Sequence, residues 1–235
     1  MGAVDFHSHF LPGIDDGSRN TEMTREMLEM SAAQGITLMC ATPHFYADSM
    51  RLASFLERRQ RAFEKAAPIA EELGIDIALG AEVAFFPGMA DAEGIEQLCF
   101  EGTPTMLVEM PFRAWTEKDL RELEKLRRNG IRPVMVHLER FFHFQKDKSI
   151  METLFEMPVY VQLNAECLLR FSDRLKFLKL YKTGNAQLLG SDCHNTTSRT
   201  QNLAEGRAQI AKKLGSEFLD DMDALARRLA GKQNE

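Results

Sequence analysis

The chain has 235 residues and only six histidines, five of which fall at or just past the end of a short apolar run: His7 and His9, His44, His137 and His194. Carboxylates do the same. Glu82 closes LGAEV, Glu109 sits in LVEMP, Asp192 in GSDCH, and Asp15 or Asp16 in the loop after the first run. Taken singly, each histidine reads most simply as a hydrogen-bonded or surface imidazole. A glutamate behind an apolar run is stranger, because carboxylates are seldom buried unpaired. Nine such groups gathered at one edge would repel one another unless cations lay between them. Imidazole nitrogen and carboxylate oxygen without thiolate suit Mn, Fe, Zn or similar ions rather than a structural zinc site. Nine ligands suffice for two or three ions if a carboxylate bridges. Clustered divalent ions point to hydrolytic displacement by activated water.

Local spacing supports convergence. In DFHSH, residues two apart in an extended segment share a face, which groups Asp5, His7 and His9. The same rule groups Asp192 with His194 and turns Cys193 away. Asp5 reads as a supporting carboxylate rather than a direct ligand. Arg140 follows His137 by three residues and Arg199 follows His194 by five. Guanidinium forks match phosphate oxygens, so both are candidates for an oxyanion clamp. Phe45, Tyr46, Phe85, Phe86, Phe112, Trp115, Phe141 and Phe142 crowd the same loops, where some could wall a flat phenolic ring. His143, among phenylalanines, is not expected to be a ligand. Cys193 and Arg199 formally match CX5R. That match reads as accidental, because two expected metal ligands flank the cysteine and the loop lacks glycines that aim amides at phosphate.

The elements that must carry these groups follow a rhythm of apolar run, polar turn and amphipathic stretch. The runs are Ala3–Phe6, Ile36–Thr42, Ile75–Val83, Met106–Met110, Ile131–Val136, Val159–Leu163 and Gln187–Gly190. Short and almost continuously apolar, they read as buried parallel strands. Helices are expected over Thr21–Gln34, Leu52–Leu73, Glu117–Asn129, Asp173–Lys182 and Arg199–Leu214, with glycine stops at 35, 74, 130 and 215. Alternating strands and helices imply βα units and a slightly short TIM-like barrel, with an open doubly wound sheet as the alternative. Both architectures place active sites at the C-terminal strand edge, where the histidines and acids fall. No linker or repeat divides residues 1–235, so one domain is expected.

Composition excludes other classes. Net charge is −6 with no Lys/Arg cluster, a poor match to a nucleic-acid tracker. No apolar stretch reaches membrane-spanning length, and no signal peptide is expected. The four dispersed cysteines fit a reducing cytosol.

DFHSHFLPGIDDGS, ATPH, GAE, EMPF, HLER and SDCHN, in that order, resemble the PHP (polymerase and histidinol phosphatase) superfamily. More closely they resemble its branch of bacterial manganese-dependent protein tyrosine phosphatases of capsule and exopolysaccharide operons. The resemblance implies a distorted TIM-like (β/α)7 barrel and a site of three divalent ions, Mn2+ first, with Fe, Zn, Co or Mg as alternatives. By motif, His7, His9, Glu82 and Asp192 would hold one ion. Glu82 would bridge to a second held with Glu109 and His137. The DDG aspartate, preferred as Asp16, would hold the third with His44 and His194. Arg140 and Arg199 match phosphate-binding positions, and an acid near Asp16 would assist the leaving group. The implied activity is hydrolysis of phosphotyrosine in proteins by a cytoplasmic enzyme, with a bacterial tyrosine autokinase that controls polysaccharide synthesis as partner. Leu138 stands where the branch often has Pro, and Cys193 where it has a small residue. The alternatives are a small-molecule phosphatase, such as a histidinol phosphatase, or another PHP phosphoesterase. A non-enzymatic regulatory module is the third reading.

Overall fold

The computed structural model describes residues 2–232. In chain order its elements are β1 (Ala3–Ser8), α1 (Thr21–Ala33), β2 (Ile36–Ala41), β3 (His44–Phe45), α2 (Leu52–Glu72), β4 (Asp76–Leu79), β5 (Glu82–Ala84), β6 (Thr105–Glu109), α3 (Glu117–Arg128), β7 (Arg132–Met135), α4 (Lys148–Glu156), β8 (Tyr160–Asn164), α5 (Glu166–Leu169), α6 (Arg174–Lys182), β9 (Leu188–Gly190), α7 (Leu203–Leu214) and α8 (Ser216–Leu229). Every expected apolar run carries a strand, and every paired strand is parallel. Local capping agrees with the sequence: Asn20 Oδ1 accepts from Met23 N at the start of α1, and Thr116 and Asp119 form a capping box on α3.

The sheet is curled, in pieces of order β1-β2-β4 and β3-β5-β6-β7-β8-β9. This falls short of the unbroken seven-strand ring expected. The third expected strand is interrupted at Gly80–Ala81, and an unexpected short strand, β3, follows the second across Thr42–Pro43, where Pro43 has no N–H to give. Backbone bonds still cross that seam, from Gly80 N to Ala41 O and from Glu82 N to Pro43 O. At the other seam β1 meets the segment after β9 through a single bridge, Ser8 to Cys193, flanked by bonds from Asp192 N to His7 O and His9 N to Cys193 O.

Period-two alternation divides the core. Val4, Phe6, Leu38, Cys40, Ala78, Leu107, Val134, Val136 and Leu188 form one cluster, closed by Ala226 and Leu229 of α8 and by Ala230, which caps it. The intervening strand residues pack with the other helices in a larger cluster. Helix α8 sits at the N-terminal strand ends: Val4 N donates to Asp223, and Arg227 donates to Gly2 O and Thr37. That leaves the opposite edge free for chemistry. Along β6 the apolar Leu107 gives way two residues later to Glu109, and Leu107 pairs in register with Glu82. Glu82 and Glu109 therefore continue the face of Leu107 at the C-terminal edge.

Four helices differ from expectation. Helices α4, the short α5 and α8 lie where no helix was expected, although Leu219, Met222, Ala226 and Leu229 of α8 keep helical spacing. Helix α7 begins at Leu203 rather than Arg199. Asn195 Oδ1 accepts from Thr197 N, Ser198 N and Arg199 N, so those amides are satisfied in a loop, and Gln201 Oε1 takes Leu203 N where the helix opens.

Candidate metal centre

The strand edge gathers all five histidines. Donor sets His7–His9–Glu82, His44–Glu82–Glu109 and His9–Asp16–His44–His194 each have their ligand atoms within 4.8 Å of one another. Glu82 is the hub. Its Oε2 lies 3.1 Å from His7 Nε2, 3.2 Å from His9 Nε2 and 3.0 Å from His44 Nδ1, and its Oε1 lies 2.7 Å from His137 Nε2. His137 Nε2 is also 3.4 Å from Glu109. Asp192 Oδ1 approaches His9 at 3.4 Å and His7 at 3.7 Å. Asp16 Oδ1 lies 3.4 Å from His44 Nε2 and 3.3 Å from His194 Nε2.

The histidine tautomers are set from behind. His7 Nδ1 donates to Gln162 Oε1 at 3.3 Å, since that oxygen also accepts from His137 N. His9 Nδ1 donates to Asp15 Oδ2 at 2.8 Å, and His194 Nδ1 to the Asp192 carbonyl at 2.9 Å. These bonds leave Nε2 lone pairs pointing inward. His7 Nε2 and His9 Nε2 then face each other across 3.1 Å, while His194 Nε2 is buried with no hydrogen-bond partner. Lone pairs aimed at one another need a proton or a cation between them. Donors around a 2.1 Å metal shell are separated by about 3.0 Å at an octahedral edge and about 3.4 Å at a tetrahedral one. Most of the observed separations fall in that range, with His137–Glu82 shorter at 2.7 Å and His7–Asp192 longer at 3.7 Å, so the donor set fits divalent ions.

Electrostatics agree. Burial opposes charge on Glu82 and Asp192, yet the surrounding histidines, with Arg140 for Asp192, hold both carboxyls well below their ordinary range. Burial likewise opposes charge on His9 and His44. The Asp15 carboxylate overcomes it for His9, and Asp16 and Glu82 overcome it for His44, which rises to about 9. Burial and the charge of Glu82 push Glu109 up to about 7. Burial pulls His137 down to about 4, and burial with the charge of His9 does the same to His194.

Backbone conformation carries a cost here. His137 and Asp192 are the non-glycine residues with positive φ among those described, at 37° and 55°. Such conformations cost on the order of 1–3 kcal/mol each and gather at functional sites. Close packing adds constraint. A Cβ on Gly17 would meet His9 O at 2.0 Å, and one on Gly190 would meet His7 Cβ at 2.6 Å.

Both arginines reach the cluster. Arg140 Nη2 and Arg199 Nη2 donate to Asp192 Oδ2, the latter at 2.8 Å, and each side chain keeps about a third of its surface in solvent. Of the crowding aromatics, Phe45, Trp115 and Phe141 are buried in the core. Tyr46 stacks on His44 at 5.3 Å. His143 lies outside these donor sets, against Phe144 at 3.8 Å. Cys193 is buried, and burial pushes its thiol up to about 12, which is unsuited to nucleophilic attack.

Asp5 stands behind the site. It accepts from Ser191 N and Oγ at 2.8 and 2.6 Å and from Gln201 at 2.8 Å, pinning the segment that bears Asp192 and His194. The sequence reading omitted Gln162 and Asn164. Gln162 Nε2 donates to Asn164 Oδ1, and Asn164 Nδ2 donates to Asp192 Oδ2 at 3.0 Å. Their signal was present in VQLN, where two amides alternate with Val161 and Leu163 at the end of an apolar run. Asp15 and Asp16, left open by spacing, take separate places: Asp15 braces His9 from behind, and Asp16 faces His44 and His194.

A family model described as capsular polysaccharide synthesis, CpsB/CapC, matches residues 3–226. The chain is 27% identical over 233 residues to the tyrosine-protein phosphatase CpsB of Streptococcus pneumoniae, covering 91% of each. It is 26% identical over 219 residues to the tyrosine-protein phosphatase YwqE of Bacillus subtilis (strain 168), covering 92% of this chain and 86% of that one. A crystal structure from a study of YwqE and CpsB, described there as metal-dependent tyrosine phosphatases, matches this fold with a TM-score of 0.85 at 24% identity, over 98% of this chain and 95% of that one.

Proposed function

Because this chain belongs to the CpsB/CapC family, we propose that it is a metal-dependent phosphomonoesterase acting on phosphotyrosine in proteins. The observation that carries this reading is the convergence of inward-facing imidazole nitrogens and carboxylates around Glu82. We take residues 1–235 as one catalytic domain. Its architecture is a distorted (β/α)7 barrel, a reading supported by the backbone bonds at both seams. His7, His9, Glu82 and Asp192 hold a first divalent ion, Glu82, Glu109 and His137 a second, and Asp16, His44 and His194 a third, with Mn2+ the expected metal.

When bound, such ions lower the pKa of water and offset phosphate charge. The protein supplies the rest. Asp15, Gln162 and the Asp192 carbonyl keep protons on the outer nitrogens of His9, His7 and His194, so the inner nitrogens stay free to coordinate. Arg140 and Arg199 are poised beside Asp192 to bind phosphate oxygens with their forked donors. A tyrosyl leaving group has a pKa of about 10 and needs little protonation. Asp16, exposed at the mouth, is held well below the ordinary carboxylate range by His44, which suits it to coordination rather than to protonating the leaving group. The partner is a phosphotyrosine protein, which the family places in capsular polysaccharide synthesis; a bacterial tyrosine autokinase fits that role. No described helix is long and apolar enough to cross a membrane, and a cytoplasmic location is proposed.

The test pairs metal analysis of purified protein with hydrolysis of phosphotyrosine peptides and of histidinol phosphate, before and after chelation and with Mn2+ returned. Peptide hydrolysis is expected to vanish on chelation and return with the metal. Retention of activity after complete metal removal, or a preference for histidinol phosphate, would overturn the assignment.

A further inference from the structure

Beside the cluster lies an open groove of about 590 Å3, lined by Phe112, Arg140, Phe142, Phe144, Arg170 and Lys176, among others. The volume is within the range of ligand pockets. It adjoins the candidate metal centre through Arg140, and one of its walls packs towards His137. Arg140 lines the groove and donates to Asp192. The Phe112 ring lies 4.9 Å from Phe141, whose ring is 5.6 Å from that of His137.

Two features mark this groove as a docking surface. Phe112, Phe171 and Leu175 are the large apolar side chains left exposed among the described residues, at 53%, 89% and 70%. Of these, Phe112 lines the groove, together with the partly buried Phe142 and Phe144. An exposed apolar ring on a pocket wall favours an apolar partner. The second feature is charge. Of the lining cations, Arg140 pairs with Asp192 and Arg170 with Glu166, whereas Lys176 has no carboxylate within ion-pair distance among the described residues. Lys176 Nζ rests 3.8 Å from the centre of the Phe142 ring, a seat that an acidic group from outside can share.

Resting on the phosphatase reading above, we propose that this groove binds the polypeptide flanking the phosphotyrosine of the substrate. It takes apolar side chains against its phenylalanines and an acidic residue at Lys176. The groove thus sets sequence preference, while the metal edge performs the chemistry on any aryl phosphate that reaches it.

The test uses the metal-loaded enzyme with two phosphotyrosine peptides that differ only in carrying Asp or Lys beside an apolar flank, and p-nitrophenyl phosphate as a substrate without flanks. The wild type is expected to favour the acidic peptide in kcat/KM. Lys176→Glu is expected to cut that preference by about fivefold, the scale of an exposed ion pair, and Lys176→Arg to retain it. Turnover of p-nitrophenyl phosphate should stay within about twofold in both variants. Equal use of the two peptides by the wild type, or a Lys176→Glu change that leaves their ratio intact or lowers all three substrates alike, would overturn the groove assignment. Absence of hydrolysis of every substrate by the metal-loaded wild type would instead remove the phosphatase reading beneath it.

Discussion

Replacing Glu82 with Gln keeps the volume of the side chain and removes its charge. Glu82 is 1% exposed and contacts four imidazoles at 2.7–3.2 Å. In the metal-free protein near neutral pH, His9 and His44 carry protons because their pKa values are raised. Glu82→Gln thus leaves two buried or half-buried cations without their central partner. Removing one member of a buried ion pair costs about 3–5 kcal/mol. For a chain of this size each kcal/mol moves Tm by about 2–4 °C, so a fall of about 6–20 °C is expected by calorimetry of metal-free protein at pH 7. The sign with pH follows from the depressed carboxyl pKa. Its stabilisation is complete above the unfolded value of 4.5 and is lost as pH falls through the folded value. The gap between variant and wild type should therefore narrow in acid. In the presence of Mn2+, loss of the shared carboxylate should weaken metal binding, read by isothermal titration, by at least about 100-fold. If metal-free Glu82→Gln melts with the wild type at pH 7 and binds Mn2+ with unchanged affinity, the cluster is not organised around this carboxylate.

Two further outcomes follow from the same geometry. Cys193→Ser should keep peptide hydrolysis within about threefold of wild type, because the thiol is buried and held protonated by its surroundings; loss of turnover in a folded Cys193→Ser protein would restore a thiol mechanism. Metal uptake should release about two protons at pH 7.5, from His9 and His44, measured by titration calorimetry in buffers of different ionisation enthalpy. Because both folded values are raised, their contribution to metal-free stability is full below about 6.5, and that of His44 is lost as pH rises through about 9. The metal-free Tm should fall across that interval, and a rising Tm would contradict the assignment.

Most of the candidate metal edge was legible before the fold, for a physical reason. A buried parallel strand is short and apolar, so an imidazole or carboxylate at its end stands out, and parallel strands all end on the same side. That logic found His7, His9, His44, Glu82, Glu109, His137, Asp192 and His194 by place alone. It failed at neutral groups. Gln162 and Asn164 raise no charge alarm in VQLN, yet they hold His7, the His137 amide and Asp192 in position. It also placed the start of the last expected helix too early, because the side chain of Asn195 satisfies three amides that helical periodicity assumes are free.

Residue type and order thus specify the donors, the alternation of strand and helix, and the edge where the donors emerge. These are properties of short windows, set by burial and by the two-residue strand repeat. Long-range packing alone assigns the partners. Asp15 goes behind His9 and Asp16 in front of His44, although the two are adjacent and chemically identical. Asp192 faces His7, His9, Arg140 and Arg199 at once because its backbone adopts a positive φ where the end of the chain returns to β1. The interruption at Pro43, the cover of the opposite end by α8 and the groove beside Arg140 belong to the same level. They depend on contacts between residues far apart in the chain, which no local pattern encodes.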